Sequence, residues 1–313
     1  MIMKRDFLTF NDLEAPEVLA LFDNAAGMKA DRKIGKRGGS LAHLTVGMLF
    51  DKPSTRTRVS FEAGVNELGG AVVFLHRSET QMSRAEPVSH SARVLSRYLD
   101  TLVIRTFDQT EIEEWARHAS IPVINALTDE YHPCQVLCDL FTIWERKGSL
   151  DNLKAAWIGD GNNMARSWIN AAAVMGFELS LAVPAGYEPH PEVLDKARNK
   201  AEKPITLTHE PAEAVQGAQV INTDVWASMG QEDEAETRAD IFRPFQVNAD
   251  LVSKAEPGAL VLHCLPAHLG EEITEDVLEG PQSAVFDQAE NKLHSQKALL
   301  EFLIKGLIKG RRE

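Results

Sequence analysis

The feature that most constrains the fold is an alternation that runs through both halves of the chain. Short apolar runs of strand length are followed, in most cases, by stretches with helical spacing. In the first half the strand-like runs are Leu44–Phe50, Ala71–Leu75, Thr101–Arg105 and Pro122–Asn125. In the second half they are Ala155–Ile158, Leu179–Val183, Ile205–Leu207, Val220–Asn222, Ala259–His263 and Ala284–Phe286. Strands separated by helices pair in parallel and are covered on both faces. The 313 residues suffice for two such domains, each with its own core. The pattern predicts an α/β protein of two doubly wound parallel-sheet domains. No low-complexity linker separates the halves. After His132-Pro133, residues Leu137, Leu140, Phe141 and Trp144 keep helical spacing until Gly148 ends it, so the boundary is predicted to be a helix. A second helix, about Glu290 to Ile308, closes the chain.

The run Ser54-Thr55-Arg56-Thr57-Arg58 lies between the first strand and a helical face made by Phe61, Val65 and Leu68. It therefore sits where a helix begins. Unpaired backbone N–H groups and the positive end of the helix dipole point outward there. Hydroxyl donors and guanidinium forks added to them make a site for a doubly charged phosphate. A plain helix cap needs one hydroxyl, not three alternating with two arginines. Ligands of open α/β sheets sit at the carboxyl ends of the strands. Ser54, Arg105, His132, Gly161, Asp224 and Cys264 all fall at, or just past, predicted strand ends.

The Ser54–Arg58 run resembles the phosphate-binding motif of the aspartate/ornithine carbamoyltransferase family. His132-Pro133-Cys134-Gln135 is similar to the family's second motif. Asp224-Val225-Trp226-Ala227-Ser228-Met229-Gly230 and His263-Cys264-Leu265-Pro266 resemble segments of its ornithine branch, and Gly159-Asp160-Gly161-Asn162-Asn163 fits as well. The resemblance spans about Phe7 to Leu300. It implies that the closing helix returns to the first domain, so that two linking helices join the domains and the cleft between them is the expected site. The implied division is residues 1–133 with 290–313 for carbamoyl phosphate, and 134–289 for ornithine, with 134–147 as the linking helix.

The resemblance implies roles residue by residue. Ser54, Thr55, Arg56 and Thr57 hold the phosphate of carbamoyl phosphate, with Gln81 reaching a neighbouring subunit's site. Arg105, His132 and Gln135 hold the carbamoyl end, and Lys292 stands where the family usually has arginine. Lysine keeps the charge but loses the bidentate fork. Leu269 likewise replaces a commonly basic position. Cys264 lies nearest the attacking amine, and backbone groups of Cys264 and Leu265 meet the carbamoyl group. Asp224 and Ser228 take the α-ammonium of L-ornithine, Asn163 its carboxylate, and Met229 adds backbone contacts. Arg105, His132 and Cys264 are the expected catalytic residues. A His at a helix start is held toward its neutral form. A neutral His132 can then donate to the carbamoyl oxygen. The Leu265–Pro266 bond is a candidate cis peptide.

No cofactor and no metal are expected. Cys134 and Cys138 share a helical face near His132, but no fourth ligand follows at zinc-type spacing. They read as core residues. The pair Gly159 and Gly161 after a strand hints at a dinucleotide fingerprint, yet Met164 occupies the third glycine's place. A net charge of −13 argues against a nucleic-acid partner. No apolar run approaches membrane-span length. Three cysteines make no disulfide framework, so a cytoplasmic protein is expected. The family resemblance implies a homotrimer or a multiple of trimers.

Overall fold

The computed structural model describes residues 4–80, 86–227 and 234–312, without the side chains of Ala235 and 307–312. It divides into two compact units, residues 1–141 with 290–313 and residues 142–289. Unit 1 holds a sheet of β1 (Thr45–Phe50), β2 (Ala71–Leu75), β3 (Thr101–Arg105) and β4 (Val123–Leu127), in the order β2-β1-β3-β4. Unit 2 holds β5 (Lys154–Ile158), β6 (Glu178–Ala182), β7 (Ile205–Thr208), β8 (Val220–Thr223) and β9 (Leu260–His263), in the order β7-β6-β5-β8-β9. Every strand pairing in both sheets is parallel.

Each sheet has a point where the winding reverses, and there the connections leave to opposite sides and open a crevice. In unit 1 this point lies between β1 and β3, where Phe50 faces Arg105 in register. In unit 2 it lies between β5 and β8, where Ile158 faces Thr223. The inner strands β1, β3, β5 and β8, with β4 and β9, are mostly apolar and buried, as two-sided coverage demands, whereas the edge strands β2 and β7 are largely not. In unit 1, Leu49, Ile104 and Val123 pack with Ile112 and Trp115 from the helix Gln109–His118. In unit 2, Ile158, Ile221 and Val261 pack with Val215, Leu251 and Val277.

Two expected elements differ. Ala284–Phe286 is not a strand. Ser283 makes one isolated bridge to Val261, and the chain then enters the helix Val285–Arg312. The apolar run is short because it is the first turn of a helix, an ambiguity that periodicity cannot resolve over three residues. The helix Pro133–Lys147 ends at Gly148, with φ of 80°, as its sequence predicts. The division between units falls inside this helix, after Phe141, rather than at its start. Its first turns belong to unit 1 because Cys134 donates to the Asn125 carbonyl and Phe141 packs on Phe22.

One buried group carries a stability prediction. His294, on the closing helix within unit 1, is fully buried, and neither ring nitrogen has a hydrogen-bond partner among the described residues. Its Nε2 lies 3.9 Å from a Glu290 carboxylate oxygen. Burial, then the charges of Lys297, Lys29 and Arg32, push its pKa down to about 4 against the opposing effect of Glu67. Between that value and the ordinary imidazole value the unfolded chain binds the extra proton, so stability is full above about pH 6.5 and is lost as pH falls toward 4. His294→Leu removes this dependence, about 2 kcal/mol at pH 5. Urea melts at pH 7 and pH 5 check it. An equal loss in wild type and variant would show that His294 does not carry the acid sensitivity.

Candidate active site

The loop after β1 delivers the first set of residues. The helix Arg56–Glu67 begins directly after Thr55, which occupies the N-cap but makes no side-chain cap hydrogen bond. The side chains of Ser54, Thr55, Arg56 and Thr57 make no hydrogen bond or ion pair among the described residues. The hydroxyls are thus not spent on capping, and they remain available beside the orphan N–H groups of the first turn. Arg58 differs from Arg56. Its Nε donates to Glu62 at 2.8 Å, and its guanidinium lies 3.5 Å from the centre of the Phe74 ring. The sequence presents two equivalent arginines, and the fold commits one of them locally.

Arg105 ends β3 and is 5% exposed. His132 stands immediately before the helix Pro133–Lys147 and is also buried. Its pKa is held well below the ordinary imidazole range, first by burial, then by the charges of Lys292 and Arg105. The expected neutral imidazole is therefore found, but desolvation is its main cause. Those charges place Arg105, His132 and Lys292 in one neighbourhood of unit 1. Lys292 donates to the side-chain oxygen of Gln135 at 2.7 Å, and Gln135 donates in turn to Asp139 at 2.8 Å. All three are buried. Cys134, by contrast, is a core thiol, pushed up to about 12 by burial.

The second set lies at the reversal point of the other sheet. The loop after β5 leads into the helix Asn163–Met175. Asn162, not Asn163, is the N-cap. Its Oδ1 accepts from the backbone N–H of Met164 and Ala165, and its Nδ2 donates to Asp224 Oδ2 at 3.1 Å. Asn163 is the first helical residue and is half-buried. Asp224 follows β8 and is 8% exposed. Its other oxygen accepts from the Cys264 thiol at 3.1 Å. No Lys, Arg or His lies within ion-pair distance of Asp224 among the described residues.

Cys264 follows β9. The preceding His263 is fully buried, accepts from the Leu265 N–H at Nδ1 (2.9 Å), and meets Glu272 through Nε2 (2.9 Å). That pattern fixes the tautomer with the proton on Nε2. The Leu265–Pro266 peptide is cis, and Leu265 has φ of 59°. Asp224, His263 and Cys264 bring potential ligand atoms within 4.8 Å of one another. Both nitrogens of His263 are already engaged, however, so the group reads as a hydrogen-bonded recognition set rather than a metal centre.

The dinucleotide reading fails on space. A Cβ at Gly161 would lie 2.3 Å from Pro189 N and 2.5 Å from Tyr187 O. The glycine lets the protein's own backbone approach, and no pyrophosphate can occupy that side. Of the expected site residues, Gln81, Ser228 and Met229 lie outside the described residues. Sequence reading missed Asn162, Arg238 and the His263–Glu272 pair. Only Asn162 had a signal, as an Asn before an apolar helical run.

Comparisons with known proteins give the chain's family. The family "Aspartate/ornithine carbamoyltransferase, carbamoyl-P binding domain" matches residues 5–145, and "Aspartate/ornithine carbamoyltransferase, Asp/Orn binding domain" matches residues 151–303. An ornithine carbamoyltransferase of Syntrophus aciditrophicus is 54% identical over 96% of this chain and 100% of its own length. The solved ornithine carbamoyltransferase from Pyrococcus furiosus superposes with a TM-score of 0.91 at 49% identity, over 96% of each chain. An anabolic ornithine carbamoyltransferase from Campylobacter jejuni gives 0.90 at 39% identity, over 96% of this chain and 98% of its own. With the two family descriptions covering residues 5–145 and 151–303, and a relative 54% identical over 96% of the chain, the protein belongs to the aspartate/ornithine carbamoyltransferase family.

Proposed function

We propose that the chain transfers the carbamoyl group of carbamoyl phosphate to the side-chain amine of L-ornithine, giving L-citrulline and phosphate. The observation that carries the ornithine side is Asp224: a buried carboxylate with two neutral donors and no cation among the described residues. A buried charge of this kind is costly unless a partner neutralises it. The α-ammonium of an amino acid supplies that partner.

In this reading Ser54, Thr55, Arg56 and Thr57 hold the phosphate, together with Gln81. Arg105 and neutral His132 donate to the carbamoyl oxygen, where negative charge grows as the amine attacks. Gln135, positioned by Asp139 and Lys292, adds a polar contact, and the backbone of Cys264 and Leu265 meets the carbamoyl group. Asn163 takes the α-carboxylate of ornithine, while Ser228 and Met229 complete its binding. The amine nitrogen bonds to the carbamoyl carbon, the bond from that carbon to the phosphate oxygen breaks, and the leaving phosphate accepts the proton lost by nitrogen. The side-chain amine has an ordinary pKa of about 10.4, so it must lose a proton before attack. The Cys264 thiol beside Asp224 helps to orient it. The chemistry calls for no cofactor. An anabolic role, in arginine biosynthesis, is the direction we favour. The test is citrulline formation from carbamoyl phosphate with ornithine, putrescine and aspartate offered in parallel. Ornithine is expected to be carbamoylated selectively, and preferential use of putrescine would overturn the reading.

Lys292 gives a prediction of its own. Buried beside Gln135 and acting on His132, it contributes positive charge to carbamoyl phosphate binding. Lys292→Met weakens that binding about tenfold, while Lys292→Arg maintains it. Calorimetry with carbamoyl phosphate alone checks both. An indifferent methionine variant would place Lys292 outside the phosphate site.

We also propose a cytoplasmic homotrimer. Cys134, Cys138 and Cys264 are free thiols, which suits a reducing compartment, and no helix among the described residues is long and apolar enough to cross a membrane. Among the described residues the edge strand β2 is paired on one side only, with Val73 of the strand 41% exposed. Such an edge is usually covered. Sedimentation equilibrium is expected to give the mass of three chains or a multiple of it.

A further inference from the structure

Arg238 belongs to the helix Ala235–Phe242, outside every motif that the sequence analysis singled out. It is 3% exposed. Its Nη2 donates to Asp160 Oδ2 at 2.5 Å, and its Nε donates to the Trp226 carbonyl at 2.5 Å. The guanidinium also lies 4.7 Å from the centre of the Tyr187 ring and 4.9 Å from that of Phe242. A cation so deeply buried needs partners and a fixed plane; the fork between Asp160 and the Trp226 carbonyl and the two rings provide them, and a Glu234 carboxylate oxygen lies 3.9 Å from Nη1.

The two hydrogen-bonded partners matter because of where they lie. Asp160 is two residues past β5, and Trp226 is three residues past β8. β5 and β8 are the neighbouring strands at the reversal point of unit 2. The same two segments carry Asn162 and Asp224, which are joined by the 3.1 Å hydrogen bond between their side chains. We propose that Arg238 is a positioning residue for the amino-acid site: it straps the loop after β5 to the segment after β8 and so holds Asn162 and Asp224 in the geometry that receives the substrate ammonium. The inference rests on the assignment of Asp224 to that ammonium.

The rest of the loop supports the strap. The Trp157 indole N–H donates to the Asp160 carbonyl at 2.9 Å, and the Gly161 N–H donates to the Tyr187 carbonyl at 3.0 Å. Among the described residues, the Asp160 carboxylate is hydrogen-bonded by Arg238 alone. Burial pushes its pKa up to about 6, Arg238 opposes this most strongly, Asp224 adds to it and Arg166 opposes it weakly. Without Arg238 the carboxyl faces Asp224 and Arg166 alone, and its protonation moves upward in pH. A lysine at 238 reaches one partner as a point charge and loses the fork.

The test compares Arg238→Lys, Arg238→Met, Asp160→Asn, the Arg238→Met/Asp160→Asn double variant and an Asp224→Asn control. Measurements are kcat and KM for ornithine across pH 6–9, carbamoyl phosphate affinity by calorimetry, and thermal melts. Arg238→Met is expected to raise KM for ornithine about tenfold or more, with carbamoyl phosphate affinity unchanged. Its KM gains a pH dependence above pH 6 that is absent from the double variant. The double variant costs no more than the single ones together predict for one shared strap, that is, the effects do not add. Arg238→Lys keeps the fold and shows a smaller rise. Should Arg238→Met fail to fold, the lysine variant decides: a wild-type KM there overturns the proposal. So does a folded Arg238→Met with unchanged KM, or one with only a lowered melting temperature. An Asp224→Asn variant with unchanged KM would instead overturn the assignment of Asp224, which keeps the two failures apart.

Discussion

Arg56→Ala weakens carbamoyl phosphate binding by roughly 1.5–3 kcal/mol or more and removes turnover, while Arg58→Ala leaves both nearly intact. The contrast follows from what each guanidinium already does. Arg56 is exposed at the first position of its helix and has no partner among the described residues. Its charge is free to meet a dianion at the helix start, where the dipole adds to it. Arg58, two residues on, is tied to Glu62 and stacked on Phe74. Removing it costs local stability on the order of 0.5–1 kcal/mol, discounted for exposure, and leaves the phosphate contacts in place. Calorimetry with carbamoyl phosphate on both variants separates the roles. Equal loss of affinity would mean that Arg58 swings away from Glu62 to the ligand. Unchanged affinity in Arg56→Ala would remove the phosphate site from this loop.

Much of this architecture is legible in the chain because the physics behind it is local. Parallel strands are marked by buried apolar runs such as Leu102–Ile104 and Val220–Ile221, and the helix stop at Gly148 needs a residue that tolerates a positive φ. The proposed phosphate loop stands out because three hydroxyls and two arginines in five residues have few structural uses. What could not be read was whatever depends on partners distant in sequence. The split between Arg56 and Arg58 requires knowing that Phe74 lies beside the helix start. The neutral state of His132 was expected from a helix dipole, but burial and Lys292, 160 residues later, decide it. Arg238 belongs to no motif in the sequence, and only the fold shows it buried between two rings. The false strand at Ala284–Phe286 is the reverse case, a local apolar signal too short to carry its period.

The Lys292 substitution is easier to understand in this light. A lysine on the closing helix, where the family resemblance leads one to expect arginine, lacks a bidentate fork. Here its ammonium is buried and spends one hydrogen bond on Gln135, whose amide is steadied from behind by Asp139. The single charge is therefore held in place by its neighbours rather than by its own geometry. It still acts at His132, where it helps to keep the imidazole neutral and able to donate one N–H to a growing oxyanion.

Asp224→Asn raises KM for ornithine by roughly thirtyfold or more, equivalent to about 2–5 kcal/mol for one partner of a buried charge pair, with carbamoyl phosphate affinity unchanged. In the proposed reading the carboxylate serves this single task. Asn162 and the Cys264 thiol fill one lone pair on each oxygen, neither supplies charge, and no basic side chain among the described residues competes for it. A structural aspartate in such a place would be expected to face an Arg or Lys, as Asp160 faces Arg238. Asparagine keeps the shape and one acceptor but brings no charge and adds an N–H₂ group that must face either the Asn162 amide or the Cys264 thiol, with the substrate ammonium beside it. Ornithine binding therefore suffers from both lost attraction and added repulsion. Steady-state kinetics with each substrate varied in turn gives the answer. Equal weakening of both substrates would make Asp224 a structural residue, and a rise confined to ornithine identifies it as the partner of the amino acid.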